Sequence, residues 1–507
     1  MSISTGKTVS HTKIDSHMTD YERIFHPKKL AILGVSGEDG SMSFGTNLFR
    51  SITTIGFQGE IFPVNPKGGT IDGLNIFKRV EDIPGIVDFA VIAVAARHVP
   101  KVLEECLNKG VAGVEILSSG FSELGTEEGE ELEQQIKNIA TKGIRVIGPN
   151  CFGIYCPKSG LTLMPGPDLS RQSGPVGFLS QSGGIAIDFA HTGKWMGILF
   201  SKVISFGNGA DLRETELINY LANDEETLVI IMYIEGVENG DAFFREIKAA
   251  ARKKPVIVYK GGLSVAGQRT VASHTASMGG SRVIWESILK QVNAIQVYNT
   301  EELAQTSLAF SLLPQRSFHA ISIIGGGGAL GVAACDTAEN FGIEVPPLAT
   351  SLRERIEEFL PKPGSSAINP IDVANPHVSV HALKEILLHA AEDKRIELQI
   401  LVSLLYHYKP LAQAMKMPMN DVTPYRQLAE AVREVVDKTG KPIVMALPNP
   451  KKGLADLDII ELIIRARQEF LDRGIPVYDE LHDAIRAIAH VNAYYTKRKI
   501  KSVCENT

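Results

Sequence analysis

The stretch Leu30-Ala31-Ile32-Leu33-Gly34-Val35-Ser36-Gly37-Glu38-Asp39-Gly40-Ser41-Met42-Ser43-Phe44-Gly45 decides the fold. A short apolar run bounded by glycine reads as a buried strand. The glycine- and serine-rich turn behind it feeds a helix that runs through Thr54. Strand, glycine turn and helix in that order open a parallel sheet wrapped by helices. Glycines let a backbone approach a phosphate closely, and a helix N-terminus supplies free N–H groups, so Gly34, Ser36 and Gly37 are candidate ligand contacts. The spacing is not G-x-G-x-x-G, so a purely structural turn stays open.

The same alternation continues outward. Gly59-Glu60-Ile61-Phe62-Pro63-Val64 is a second strand and ends in Asn65-Pro66-Lys67-Gly68-Gly69. A nicotinamide dinucleotide site wants an acid at that point to hold ribose hydroxyls. Asn65 and Lys67 offer an amide and a cation instead, which favours a phosphorylated ribose over NAD. Asp88-Phe89-Ala90-Val91-Ile92-Ala93-Val94 is a third strand opening into Ala95, and Gly113-Val114-Glu115-Ile116-Leu117 is a fourth ending in Ser118-Ser119-Gly120. Ile144-Arg145-Val146-Ile147 is a fifth, ending in Gly148-Pro149-Asn150-Cys151. Ligands on open parallel sheets bind across the carboxyl ends of the strands. Gly34, Asn65, Val94, Ala95, Ser118, Ser119, Gly120 and Asn150 therefore form one candidate surface.

The chain has 507 residues, 44% hydrophobic and 22% charged, with a net charge of -6. This is the composition of a soluble globular protein of about three domains, and it gives no electrostatic reason to expect nucleic acid or an anionic membrane. Apolar runs such as residues 228–234 are strand-sized, and residues 1–19 have no apolar core of a secretory signal. Five scattered cysteines argue against a disulfide framework and fit a reducing cytoplasm. No metal site is expected.

A second alternation begins after Met164-Pro165-Gly166-Pro167. Val176-Gly177-Phe178-Leu179 runs into Ser180-Gln181-Ser182-Gly183-Gly184 and an apolar helix over residues 185–190. Serines and glycines at a helix start make an anion seat of N–H donors, hydroxyls and the positive end of the dipole. Another strand ends in Phe206-Gly207-Asn208-Gly209. Leu228-Val229-Ile230-Ile231-Met232-Tyr233-Ile234 stops at Glu235-Gly236, where a carboxylate can hold an imidazole by one nitrogen. The next strand, Val256-Ile257-Val258-Tyr259, leads through a glycine-rich link to Ser273-His274-Thr275-Ala276-Ser277-Met278-Gly279-Gly280, read as an exposed loop. If the two strands are neighbours, Glu235 and His274 come within reach of each other.

The chain resembles the alpha subunits of the nucleoside-diphosphate-forming acyl-CoA synthetases, relatives of succinyl-CoA synthetase. The resemblance rests on Phe62-Pro63-Val64-Asn65-Pro66-Lys67, Gly148-Pro149-Asn150-Cys151, Ser180-Gln181-Ser182-Gly183, Tyr233-Ile234-Glu235-Gly236 and Ser273-His274-Thr275, in the family's order. It implies a Rossmann-like coenzyme A-binding domain followed by two flavodoxin-like domains. The expected boundaries are a tail over 1–20, the CoA-binding domain over 21–158, a phosphohistidine domain over 159–313 and a third domain over 314–507. It further implies that His274 is phosphorylated, that Glu235 orients it, and that Ser180, Gln181, Ser182, Gly183, Gly184, Gly207 and Asn208 hold phosphate. The implied reaction converts acyl-CoA, phosphate and ADP into a carboxylic acid, CoA and ATP. Two positions depart from the family pattern: no basic residue lies in the loop from Gly34 to Gly45, and Ala276 follows Thr275 where relatives carry glycine.

The third region opens with Ala320-Ile321-Ser322-Ile323-Ile324 and Gly325-Gly326-Gly327-Gly328 before a helix over 330–340. No G-x-x-x-x-G-K-[ST] motif occurs in the chain. The family's ATP-grasp region is not in this sequence either, so the resemblance places ADP or ATP, with Mg2+, on a separate ATP-grasp beta subunit in a hetero-oligomer. Two other readings remain at this point: a non-catalytic CoA-binding sensor or scaffold of the same fold, and an NAD(P)-dependent oxidoreductase.

Overall fold

Apolar runs with no polar alternation need cover on both faces, and here each finds it as a strand between helices. The computed structural model describes the backbone of residues 19–37, 43–164, 166–275 and 281–505, and the side chains of these residues up to 271 and from 281 to 499. It divides into two units: unit 1 holds residues 1–167 and 206–213, unit 2 holds 168–205 and 214–507.

In unit 1, β1 (Lys29–Leu33), α1 (Phe44–Ile55), β2 (Glu60–Val64), β3 (Phe89–Ile92), α2 (Val99–Asn108), β4 (Gly113–Ile116), α3 (Glu127–Ala140) and β5 (Arg145–Ile147) follow one another. The strands pair in parallel in the order β2-β1-β3-β4-β5. Ser43 caps α1 by accepting from the Thr46 N–H at 3.2 Å, which satisfies one orphan donor of the first turn. Gly34 has φ +98, and a Cβ there would lie 2.3 Å from the Ala93 carbonyl oxygen, so only glycine lets β1 end this close to β3.

One buried acid in this unit has a measurable consequence. Glu115, on β4, is 3% exposed and accepts from the Ile154 N–H at 3.0 Å. Burial pushes its carboxyl up to about 8 from 4.5, and the single N–H bond only partly opposes this. A carboxyl raised in the fold contributes stability that is complete below its unfolded value and is lost as pH rises toward 8. Glu115→Gln, which keeps an acceptor for Ile154, removes that loss. Its melting temperature should exceed the parent's by several degrees at pH 9 and converge with it near pH 5, a difference of roughly 2–4 kcal/mol between the two limits. A constant offset across that range would rule out the ionisation as its cause.

Unit 2 begins with β6 (Val176–Ser180), α4 (Gly183–Met196), β7 (Phe200–Ser205), α5 (Glu214–Asn223), β8 (Val229–Ile234), α6 (Gly240–Lys253), β9 (Val256–Lys260), α7 (Val265–Thr275), α8 (Arg282–Val292), β10 (Ile295–Val297) and α9 (Thr300–Leu312). Its strands run in the order β10-β9-β8-β6-β7, all parallel. A further sheet follows, with β11 (Ile321–Gly325), α10 (Gly328–Asn340), β12 (Ile371–Asp372), α11 (Val380–Glu392), β13 (Leu398–Val402), α12 (Tyr425–Thr439), β14 (Ile443–Ala446), α13 (Leu457–Leu471), β15 (Val477–Tyr478) and α14 (Leu481–Glu505). Its order is β12-β11-β13-β14-β15, again parallel.

The three sheets share one topology. Numbered from β1, β6 and β11, the five strands named for each read 2-1-3-4-5, the doubly wound order of the flavodoxin type. The crevice between the first and third strands is the switch point, where ligands of such sheets bind.

Within unit 2 the two sheets are fastened through α9 and α14. Tyr478 Oη donates to the Gln305 carbonyl at 3.0 Å, Arg486 Nη2 to Gln305 Oε1 at 2.6 Å, and Thr306 Oγ1 meets His490 Nδ1 at 2.9 Å. Burial, with the Arg486 charge adding to it, pulls the His490 imidazole down to about 4, so it packs there uncharged. No helix among the described residues is long and apolar enough to cross a membrane.

The structure corrects the reading of the histidine stretch. The sequence predicts a flexible link and an open loop from Lys260 onward, whereas Lys260 ends β9 and residues Val265–Thr275 form α7. Ser273, His274 and Thr275 are its last residues. Alanine, glutamine and arginine in Val265-Ala266-Gly267-Gln268-Arg269 are good helix formers, and they outweigh the small residues around them. Residues 276–280, including Gly279 and Gly280, lie outside the described residues.

Candidate active site

At the switch point of the first unit 2 sheet, β6 and β8 end side by side. Ser182 is the N-cap of α4, its hydroxyl accepting from the Ile185 N–H at 3.4 Å, and Ser180 Oγ donates to the Ser182 carbonyl at 2.6 Å. The N–H groups of Gly183 and Gly184 open the helix, where the positive end of the dipole lies. Gln181 works sideways. Its N–H donates to the Tyr233 carbonyl at 3.0 Å, and its side-chain Oε1 accepts from the N–H groups of Glu235 at 2.8 Å and Gly236 at 3.2 Å. The anion seat and the carboxylate turn are thus bolted together by one amide.

Glu235 follows β8 directly, and Tyr233 Oη donates to its Oε1 at 3.0 Å. Burial, then the Glu235 charge and this hydrogen bond, hold the Tyr233 phenol above its ordinary range. β8 and β9 pair with Ile234 opposite Lys260, so Glu235 and the turn leading into α7 leave the sheet from adjacent strands. The His274 side chain is outside the described residues, and with it the Glu235–His274 pairing.

The switch point of unit 1 is a groove of about 540 Å³ lined by Gly34, Val64, Pro66, Val94 and four basic side chains, Lys78, Arg79, His98 and Lys101. Arg79 is paired with Glu81 and lies 3.7 Å from Glu105. The apolar floor comes from strand ends and the cations from the residues after the short Thr70–Ile71 and Leu74–Asn75 hairpin and from α2. The floor suits a base or a pantetheine arm, and the cations suit phosphates.

A model of the CoA binding domain matches residues 28–157, and one of the succinyl-CoA ligase like flavodoxin domain matches residues 173–310. The alpha subunit of ADP-forming acetate–CoA ligase I from Pyrococcus furiosus is 34% identical over 92% of this chain and 96% of its own length. The chain belongs to the ADP-forming acyl-CoA synthetase family, as an alpha-subunit-like member. The ADP-forming 4-hydroxybutyrate–CoA ligase of Nitrosopumilus maritimus is 33% identical over 93% of this chain and 64% of its own length. The acetyl-coenzyme A synthetase 1 of Ca. Korarchaeum cryptofilum, solved with phosphate and ADP, superposes with a TM-score of 0.80 at 29% identity, covering 96% of this chain and 99% of that one.

Against the family frame, the structure gathers some residues singled out in the sequence and separates others. Gly34 and Val94 line the unit 1 groove, and Ser36 is tied to α1 by its N–H donating to Thr46 Oγ1 at 2.9 Å. Asn65 Oδ1 accepts from the Lys67 N–H at 3.0 Å within its own turn, and the exposed Lys67 is not among the residues that line the groove. Gly37 and Ala95 flank the same strand ends. Ser118 and Asn150 form another cluster, in which Ser118 Oγ donates to the Val94 carbonyl and the Asn150 N–H donates to the Ser118 carbonyl at 2.9 Å. Ser119 and Gly120 continue that loop, with the Gly120 N–H donating to Glu123 at 2.6 Å.

Gly207 and Asn208 take their contacts from a different set of residues than Ser182 does. They belong to unit 1, where a Cβ on Gly207 would stand 2.2 Å from the Pro149 carbonyl oxygen. Asn208 Nδ2 donates to Glu123 at 2.7 Å and Glu133 at 2.9 Å, and Asn150 Nδ2 donates to Asn208 Oδ1 at 3.3 Å. An amide committed to two carboxylates clips its loop in place, and those charges repel an added anion. Two groups escaped the sequence reading altogether. The groove cations lie outside the glycine loop where basic residues were sought, and Lys260, buried at the end of β9, stood inside a run read as flexible.

Proposed function

We propose that this chain is the alpha subunit of an ADP-forming acyl-CoA synthetase that works with an ATP-grasp beta subunit. A phosphate oxygen attacks the thioester carbonyl of acyl-CoA, the C–S bond breaks, and CoA leaves as the thiol, giving an acyl phosphate. His274 then takes the phosphoryl group, releasing the carboxylic acid, and passes it to ADP. Phosphoryl transfer asks mainly for positioning and charge stabilisation, and a neutral imidazole is nucleophilic near pH 7. In this reading Glu235 orients His274, Ser180, Gln181, Ser182, Gly183 and Gly184 hold phosphate, and the unit 1 groove holds CoA. ADP, ATP and Mg2+ sit on the beta subunit.

The observation that carries the reading is the bolt at the β6–β8 switch point, which holds a helix N-terminus and a carboxylate turn together through Gln181. Support for the partner comes from the Pyrococcus furiosus relative, named as an alpha subunit at nearly this length, beside the longer Nitrosopumilus maritimus ligase. The domain limits 21–158, 159–313 and 314–507 follow the same reading. Co-expression with an ATP-grasp chain should give ATP from acyl-CoA, ADP and labelled phosphate, with acid-labile label on the alpha chain. Absence of both products across a panel of short, branched and aromatic acyl-CoAs would refute it.

The seat has its own test. An added Cβ at Gly184 meets nothing closer than Ser182 Oγ at 3.9 Å, and alanine favours a helix by about 0.5–1 kcal/mol over glycine. Gly184→Ala should therefore be slightly more stable than the parent, yet raise the KM for phosphate on the order of tenfold by narrowing the approach to the helix N–H groups. An unchanged KM would remove Gly184 from the seat.

A further inference from the structure

Lys260 is the last residue of β9 and is 2% exposed. Its ammonium donates to the main-chain carbonyl of Glu235 at 2.7 Å and to that of Gly261, and it stands 5.1 Å above the centre of the Trp285 ring on α8. Three donors are thus met by two carbonyls and one aromatic face. A buried ammonium is unfavourable unless it is matched in this way, and an aliphatic residue would end the strand without that demand. Burial lowers the group to about 8 from 10.5, while the Glu235 charge works the other way.

The two carbonyls belong to the two turns on which the proposed chemistry depends. One is the Glu235 turn after β8, and the other is the Gly261–Gly262 turn that launches α7, the helix containing His274. Gly261 is itself pressed against β8, since a Cβ there would lie 2.6 Å from Tyr233 Oη. Gln181 already grips the Glu235 turn by its N–H groups from the β6 side, and Lys260 grips it by its carbonyl from the β9 side.

We propose that Lys260 is a positioning residue for phosphoryl transfer, locking the Glu235 turn to the start of the histidine helix so that the carboxylate is held in place for the step that phosphorylates the imidazole. This rests on the function proposed above for Glu235 and His274. The Lys260 ammonium is buried and committed to two main-chain carbonyls, so its loss should act on the rate of transfer and leave ligand affinities alone.

The test uses the assembled alpha–beta complex. Lys260→Met should phosphorylate His274 about 10–100-fold more slowly in a single turnover, with kcat lowered in proportion and KM for CoA and ADP unchanged within about twofold. Lys260→Cys should show the same loss and recover most of the rate after treatment with bromoethylamine, which rebuilds an ammonium of nearly lysine length. The parent treated in parallel controls for its own cysteines. Full activity of Lys260→Met, or a Lys260→Cys enzyme that bromoethylamine fails to rescue, overturns the proposal. If Lys260→Met does not accumulate, the rescue of Lys260→Cys decides alone. An inactive His274→Ala beside a fully active Lys260→Met defeats the positioning role only, whereas an active His274→Ala defeats both readings.

Discussion

His274→Ala should leave no acid-labile phosphate on the chain and lower ATP synthesis by at least about 10³-fold. The size of the effect follows from what the imidazole is asked to do. In the proposed function it accepts a covalent phosphoryl group and gives it up to a second acceptor, and no neighbour in the α7 sequence supplies a comparable nucleophile: Thr275 and Ser273 carry only weakly acidic hydroxyls. The substitution should be silent elsewhere. Alanine favours a helix more than histidine does, so Val265–Thr275 keeps its conformation. CoA affinity should also stay, because the groove lined by Lys78, Arg79, His98 and Lys101 is made wholly of unit 1 residues. Labelling with radioactive phosphate, calorimetry with CoA and thermal melting on one preparation separate these effects. Retention of label on the alanine variant would move the phosphoryl acceptor to another residue.

How much of this was legible in the chain differs by kind of feature. The strands were legible because parallel strands buried on both faces read as unbroken apolar runs, as Val229–Ile234 and Leu398–Val402 do. Their ends were legible too, since Ser180-Gln181-Ser182 and Glu235-Gly236 interrupt such runs with small and polar residues. Strand order was not. That all three sheets read 2-1-3-4-5 depends on which strands pair, and a single sequence does not state it. The helix over Val265–Thr275 was missed because glycines at 261, 262 and 267 look like a linker, although the propensity of the intervening residues is helical. The partners of Asn208 were illegible for a different reason. This residue follows a strand of unit 2, yet its partners Glu123, Glu133 and Asn150 lie some sixty to eighty-five residues earlier. Lys260 carried no signal at all, because only burial gives a strand-end lysine its meaning. Local pattern reports elements and their ends; partners across the sequence come only from the fold.

Glu235→Gln should lower kcat by about 10²–10⁴-fold while leaving the KM for CoA unchanged, the pattern expected when the group that orients an imidazole loses its charge but not its shape. The turn itself should survive. Gln181 and Lys260 hold it by main-chain N–H and carbonyl groups, and neither contact involves the Glu235 carboxylate. A glutamine oxygen can still accept from Tyr233 Oη, which now lies 3.0 Å from Oε1. What disappears is the negative charge, and Tyr233 supplies an internal gauge of that. Its phenol is held high by burial first and then by the charge and hydrogen bond of Glu235. Removing a negative neighbour makes the phenolate easier to form, so the ultraviolet titration of this tyrosine should shift to lower pH in the variant. Glu235→Asp keeps the charge but withdraws it by one methylene, and it should show the smaller kinetic loss with little movement of the phenol. A glutamine variant with the phenol shifted and kcat intact would confirm the electrostatics of the turn and remove Glu235 from the chemistry.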